Sequence, residues 1–428
     1  MLDIKDIIAR PDFYRQGIRR KNIDPQALES AIQLYTQKNL IQNQSEQLKA
    51  KQNELARNLP KFDGDFQKKT EMINQMSILK KEIQNTEPQL NELENQLQKI
   101  LGSLPNPAHE SVPEGQDDQE NQVYKLVNEK PEFNFNPKTH WELGAELDLI
   151  DSEGGARVSG SRFFYLKNEL VHLQFALIQY ALGIASKYGF QAILPPMMVN
   201  ARTAHGTGYL ESGHEDEVYC VNPGLDDLYL IGTSEVPGIA YYTDQLIPEE
   251  KLPIRMVAYS SCFRREAGSG GKDNKGIIRG HQFDKIELLS LTTPEESWNE
   301  HELILKIEEE IWSGLGLHYR VMNICGGDLG GPAAKKYDIE AWLPGENNYR
   351  EMTSTSNCTD FQARRLNIRM KNQADGKNRP LHTLNGTGIA LGRCLVAIME
   401  NYQTAQGEIL VPPVLQNQVG FQIISRKS

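Results

Sequence analysis

The sequence predicts an α+β fold: a mainly antiparallel β-sheet with flanking helices, preceded by an antiparallel α-helical arm. Three observations carry this. Residues 27–101 are rich in Gln, Asn, Lys, Glu and Leu, nearly free of Gly, and show heptad-spaced apolar residues. From residue 141 onward, short runs rich in Val, Ile and aromatics recur without regular strand–helix alternation. Between them, residues 105–140 hold Pro105, Pro107, Pro113, Gly115 and an acidic stretch, which reads as a linker. The 428 residues thus divide into an N-terminal domain (1–104), a linker (105–140) and a larger body (141–428).

In the arm, Leu34, Ile41, Leu48 and Leu55 repeat every seven residues. Met76, Ile83, Leu90, Leu97 and Leu104 do the same, with Leu79, Leu93 and Ile100 in the companion seam. The segment Pro60-Lys61-Phe62-Asp63-Gly64-Asp65 between the runs is turn-like, so the two helices form a hairpin. Pro88 is expected to kink or split the second helix, with Thr86 as a cap. Periodicity alone leaves a dimerisation coiled coil open. Ser45 and Gln52 weaken the first seam, which favours pairing of the two helices with each other. Lys49, Lys51, Arg57, Lys61, Lys68 and Lys69 gather toward the tip, where they suit a phosphate backbone.

The body should open with an amphipathic helix over 166–188, with Leu170, Leu173, Leu177, Ala181 and Ile184 on one face. Strand-like runs follow at 191–199, 228–232, 255–263, 278–291, 318–323, 337–343 and 349–355. Hydrophobic residues make up 39% and charged residues 24%, enough for real cores. The net charge of −11 argues against a molecule coated in basic charge for nucleic acid. The distribution matters more than the total: residues 1–104 hold 16 Lys/Arg against 14 Asp/Glu, and the remainder 30 against 43. The five cysteines are scattered without a CxxC pair, so a cysteine-based zinc site is not expected. The charged start lacks a secretory apolar region, and the most apolar stretch, 170–186, contains His172, Gln174 and Gln179. A cytoplasmic protein with no membrane span is expected.

Three constellations carry chemistry. Gly189-Phe190-Gln191-Ala192-Ile193-Leu194-Pro195-Pro196 closes a helix and enters a strand. Cys262-Phe263-Arg264-Arg265-Glu266 leads through a glycine-rich polar loop to Ile277-Ile278-Arg279-Gly280-His281-Gln282-Phe283. Arginines there can fork onto phosphate oxygens, and a carboxylate and an aromatic face can read an adenine. Leu384-Asn385-Gly386-Thr387-Gly388-Ile389-Ala390-Leu391-Gly392-Arg393 runs a strand into a helix. It is neither a P-loop nor a dinucleotide fingerprint.

In this order and spacing, the three resemble motifs 1, 2 and 3 of the class II aminoacyl-tRNA synthetases, with Pro196 as the motif 1 proline. Within that class the chain looks like the seryl-tRNA synthetase family. The narrower match lies in Gly232-Thr233-Ser234-Glu235-Val236-Pro237, His281-Gln282-Phe283-Asp284-Lys285-Ile286-Glu287, Ser354-Thr355-Ser356-Asn357-Cys358, Asp360-Phe361-Gln362-Ala363-Arg364-Arg365 and His382-Thr383-Leu384-Asn385-Gly386-Thr387-Gly388. The resemblance spans essentially the whole chain. It implies a serine–tRNA ligase that makes seryl-adenylate from L-serine and ATP, then passes serine to its tRNA, and to a selenocysteine tRNA where one is present.

The resemblance also implies roles. Arg264 would bridge the α-phosphate and the serine carboxylate, Arg393 would hold the γ-phosphate, and Phe283 would stack on the adenine while Glu266 accepts from its exocyclic amine. Arg265, Met352 and Thr353 would complete the ATP site. Glu351 and Ser354 would bind Mg²⁺, a hard cation suited to oxygen ligands. Thr233, Ser234, Glu235, Arg264, Glu287 and Thr387 would bind serine. The arm would clamp the long variable arm of the tRNA, and the catalytic domain would form a homodimer. Gly232, Ser234, Met352-Thr353, Thr387 and the segment 206–213 depart from the commonest family text, without removing a charged catalytic group. A serine-activating paralogue serving a carrier protein or an antibiotic pathway is the alternative, which the long arm disfavours.

Overall fold

The computed structural model describes residues 2–62, 64–210, 215–225, 227–267 and 275–426. Asp63 at the expected arm turn, residues 211–213 of the divergent segment and 268–274 of the glycine-rich loop lie outside the described residues. The chain forms two compact units, Met1–Arg19 with Ile23–Pro105, and Arg20–Asn22 with Asn106–Ser428.

In the first unit, helices α1 (Gln26–Asn58) and α2 (Phe66–Ser103) pair as a hairpin. At 1.5 Å per residue they are about 50 and 57 Å long. A 3-10 turn at Leu59–Phe62 reverses the chain, and Asp65 caps α2 by accepting from the Lys68 amide at 3.1 Å. Ile83, Leu93, Leu97 and Leu101 are buried in the seam. The polar companion positions of α1 meet polar partners on α2. Lys38 pairs with Glu94, the Ser45 and Thr86 hydroxyls lie 3.1 Å apart, and Gln52 donates to the Met76 carbonyl at 3.5 Å. These layers fix the register of a seam that apolar contacts alone would let slide.

Pro88 does not split the second helix: α2 runs continuously through it. Thr86 is no cap, since its hydroxyl lies 2.7 Å from the Ile83 carbonyl within the helix. Pro88 and Gln84, whose carbonyl loses its amide partner, are both exposed, so water can satisfy the freed group.

The second unit is built on an eight-stranded sheet. Its strands are β1 (Gln122–Val127), β2 (Gln191–Ile193), β3 (Ile254–Phe263), β4 (Gln282–Thr292), β5 (Tyr319–Asn323), β6 (Lys335–Leu343), β7 (Asn348–Asn357) and β8 (His382–Ala390). They lie in the order β1-β5-β6-β7-β8-β4-β3-β2, antiparallel throughout except β2 against β3. The expected linker is therefore partly sheet. Its residues 122–127 form the edge strand, and Asn106 is buried with its amide on the Pro332 and Cys358 carbonyls. Val123, Tyr124 and Leu126 are exposed on both faces of that strand, so no buried alternation announced it. The expected run 191–199 breaks at Pro195 and Pro196, and Met198–Asn200 pairs instead with Leu228–Leu230 in a separate ribbon.

Helices α3 (Glu169–Lys187), α4 (Ser297–Gly314) and α5 (Leu391–Asn401) supply Leu173, Leu177, Ile304, Ile311, Trp312, Leu395 and Met399 to one core with Ile286, Leu288, Val321 and Ile339 of the sheet. Strand alternation does the sorting. Along β4, Ile286 and Leu288 enter this core, so Phe283, Lys285 and Glu287 are turned to the opposite face.

Candidate active site

On that opposite face lies a cavity of about 410 Å³. Segments far apart in sequence line it: Thr233 and Glu235, Arg264 and Glu266, residues 277–280, strand β4, residues 351–354, Asn385 and Thr387, and Gly392 and Arg393.

At one end, the Arg264 guanidinium donates to the Gly232 carbonyl at 3.2–3.3 Å and lies 5.4 Å from the centre of the Phe283 ring. Glu266 accepts from Arg279 at 2.6 Å. Arg393, in the first turn of α5, donates to the Glu351 carboxylate at 3.0 Å and to its carbonyl at 2.9 Å. Burial pushes the Glu351 carboxyl up, but Arg393, Lys336 and Arg264 pull it down further, to about 2. It is an ionised carboxylate on the cavity wall.

Glu351 and Ser354 are three residues apart on β7 and would face opposite sides of a regular strand. A bulge corrects this. Thr353 pairs with Ile339 and Glu351 with Glu340, leaving Met352 without a partner, so both side chains reach the cavity. An ionised carboxylate beside a hydroxyl fits a hard cation. Behind them Asp338 is 4% exposed, pairs with Lys336 at 3.1 Å, and leaves Oδ1 without a partner among the described residues.

At the other end, Lys285 Nζ lies 2.5 Å from Glu287 Oε2 and donates to the Thr233 hydroxyl at 2.8 Å. The Thr387 hydroxyl donates to the same Glu287 oxygen at 3.3 Å. Glu235 accepts from Gln362 at 2.6 Å. Burial and the nearby Glu287 push its carboxyl upward. Strand β8 stands close to α4 here because Gly386 has no side chain: a Cβ would come within 2.3 Å of Ile304 and 2.5 Å of Glu308.

Two expected residues are absent from the cavity wall. Ser234 is fully buried, with its hydroxyl 2.6 Å from that of Ser260. It lies between two residues that do face the cavity, and the turn into helix Glu235–Ala240 directs it into the core. Arg265 is exposed beyond Arg264, its amide on the Glu217 carbonyl. Thr233, Glu235, Arg264, Glu266, Phe283, Glu287, Glu351, Met352, Thr353, Ser354, Thr387 and Arg393 all line the cavity. Sequence reasoning passed over Lys285, Lys336 and Asn385. Lys285 had a signal, since period-two spacing puts it on one face with Phe283 and Glu287. Of the arm residues, Lys49, Lys51, Arg57, Lys61 and Lys68 are exposed and Lys69 is half-buried.

An antiparallel sheet whose face carries Arg264 and Arg393 in one cleft, with no glycine-rich P-loop, fits a class II aminoacyl-tRNA synthetase core. A family model described as the tRNA synthetase class II core domain (G, H, P, S and T) matches residues 219–402, and one for the seryl-tRNA synthetase N-terminal domain matches residues 1–108. A serine–tRNA ligase of Treponema denticola is 41% identical over 99% of this chain and 100% of its own. One from Campylobacter jejuni is 42% identical over 97% and 99%. The crystal structure of a seryl-tRNA synthetase from Pyrococcus horikoshii complexed with ATP superimposes with a TM-score of 0.95 at 37% identity, covering 100% of both chains. The chain belongs to the seryl-tRNA synthetase family.

Proposed function

We infer that this protein is a serine–tRNA ligase that joins serine to tRNA at the expense of ATP. The observation that carries it is the cavity: one end gathers Arg264, Arg393 and the Phe283 ring with Glu266 and Glu351, the other gathers Glu235, Glu287, Thr233 and Thr387 around Lys285. In the first step an oxygen of the serine carboxylate attacks the α-phosphorus of ATP, and the bond to pyrophosphate breaks. In the second, a hydroxyl of the terminal tRNA ribose attacks the seryl carbonyl carbon and AMP leaves. The attacking carboxylate is already ionised, so the first step needs charge neutralisation and alignment rather than a general base.

Arg264 is assigned to the α-phosphate and serine carboxylate, which its guanidinium on the cavity wall beside Phe283 supports. Arg393 is assigned to the γ-phosphate, Phe283 and Glu266 to the adenine. Glu287, Thr387, Thr233 and Glu235 are assigned to serine. A site that hydrogen-bonds a hydroxyl rejects alanine because its own buried groups would be left unpaired. Glu351 and Ser354 would hold Mg²⁺, which when bound neutralises phosphate charge; the ionised Glu351 carboxylate and the bulge that aligns it with the Ser354 hydroxyl support this.

Residues 1–104 are proposed as the tRNA reader, gripping the long variable arm through the lysines near the tip, with 141–428 as the catalytic domain. A second copy is proposed to cover the motif 1 face, where Phe175, Leu194, Met197 and Met198 are exposed. The cytoplasm is proposed as its compartment: the five cysteines are free, and no described helix is long and apolar enough to cross a membrane. The test is serine-dependent exchange of labelled pyrophosphate into ATP, followed by charging of a long-arm tRNA. No exchange from folded protein supplied with serine and Mg²⁺ would sink the assignment. Acylation of a carrier protein in place of tRNA would favour the alternative paralogue, which the relatives do not.

A further inference from the structure

Lys285 is the charged group of the serine end that the reaction above does not use. It is 6% exposed, lines the cavity, and reaches both Glu287 and Thr233. Lys285 and Thr387 converge on one Glu287 oxygen, Oε2, at 2.5 and 3.3 Å. The other oxygen, Oε1, takes no hydrogen bond from the described residues and is left for a ligand. Two carboxyl groups, Glu235 and Glu287, and one ammonium, Lys285, meet at this end, while Arg264 is turned to the Gly232 carbonyl and Phe283. A ligand ammonium beside Glu235 would offset the upward push of burial on its carboxyl, and with both carboxyls ionised the three leave one negative charge. That matches the single ammonium of an α-amino acid whose side chain is neutral. Without Lys285 the same wall would carry two negative charges and favour a ligand with two ammonium groups.

We propose that Lys285 is a specificity-determining residue of the amino-acid subsite: its fixed ammonium makes the site accept a hydroxyl side chain and reject the same skeleton bearing an amine. The proposal rests on the reading of this cavity as a serine-activating site. It also gives Lys285 a positioning role, since its grip on Oε2 orients Glu287 and its bond to Thr233 ties two segments of the wall together.

The test compares L-serine with L-2,3-diaminopropionate, which replaces the serine hydroxyl by an amine, in pyrophosphate exchange by the full-length protein at mildly acidic pH. The wild type should strongly prefer serine. Lys285→Met and Lys285→Gln should lower the serine-to-diamino-acid ratio of kcat/KM by about tenfold or more, with the diamino acid gaining in absolute rate, while Lys285→Arg keeps the wild-type preference. The ratio is insensitive to a reduced fraction of folded protein, because both substrates share it. An unchanged ratio in the neutral variants overturns the proposal, and so does an equal shift in Lys285→Arg. Loss of exchange with both substrates in both neutral variants, with wild-type secondary structure retained, overturns it too. Failure of the wild type to exchange with serine would instead remove the serine reading itself.

Discussion

Single residues in this protein act through where burial puts them. His301 and His382 are held at about 4, chiefly because burial disfavours the imidazolium. Their folded-state pKa lies below the ordinary value, so between about pH 6.5 and 4 the unfolded chain binds more protons than the folded one. Stability should therefore fall as pH drops below 6.5, by about 1.4 kcal/mol per pH unit for each such group. Thermal midpoints measured from pH 7 down to 5 should show this, with a shallower fall in His382→Gln. Equal slopes in the two proteins would refute the assignment. The histidines were plain in sequence, but their charge state was not, because it depends on neighbours contributed by other strands and loops. Arg264, Glu266 and Arg393 stand at the other extreme. Few residue types suit the phosphate and adenine proposed for them, so their motif spacing was legible without a structure.

At the scale of elements, periodicity read the arm and the long helices well and the sheet unevenly. The arm hairpin follows from its heptads because one apolar seam per helix has a single place to go. Strand β1 escaped because both its faces are exposed, and the bulge at Met352 because bulges depend on the partner strand. That bulge is what brings Glu351 and Ser354 to one face. Pro88 does not split its helix: a proline at an exposed position of a packed hairpin costs helix stability without ending the helix. Replacing it should be favourable. Pro88→Ala restores an amide donor and removes the clash with the preceding turn, and should stabilise the arm by about 1–3 kcal/mol. Calorimetry should show a raised midpoint with serine-dependent exchange unchanged; a lowered midpoint would mean that the proline itself is needed for packing.

Across the whole molecule, charge is divided along the chain. The slightly basic first 104 residues stand against a body with 43 acidic and 30 basic residues, so a net −11 does not preclude a nucleic-acid partner. If the arm grips a phosphate backbone, Lys49→Glu, Lys51→Glu and Lys68→Glu together should raise the KM for tRNA by about tenfold or more and flatten its salt dependence. Pyrophosphate exchange should stay at the wild-type rate, since no cavity residue is touched. A fall in exchange that matches the fall in charging would show that the substitutions damage more than tRNA binding. By itself the sequence determined the fold class, the helical arm, the family and most of the residue types in the cavity, because each is written in local period or in motif chemistry. Only the tertiary structure decided which members of a motif face inward: Ser234 and Arg265 turned away, Lys285 turned in, and Glu351 joined Ser354 across a bulge. The physical reason is that a side chain's direction depends on strand pairing and on the neighbours that fill its space, and those neighbours come from distant parts of the chain.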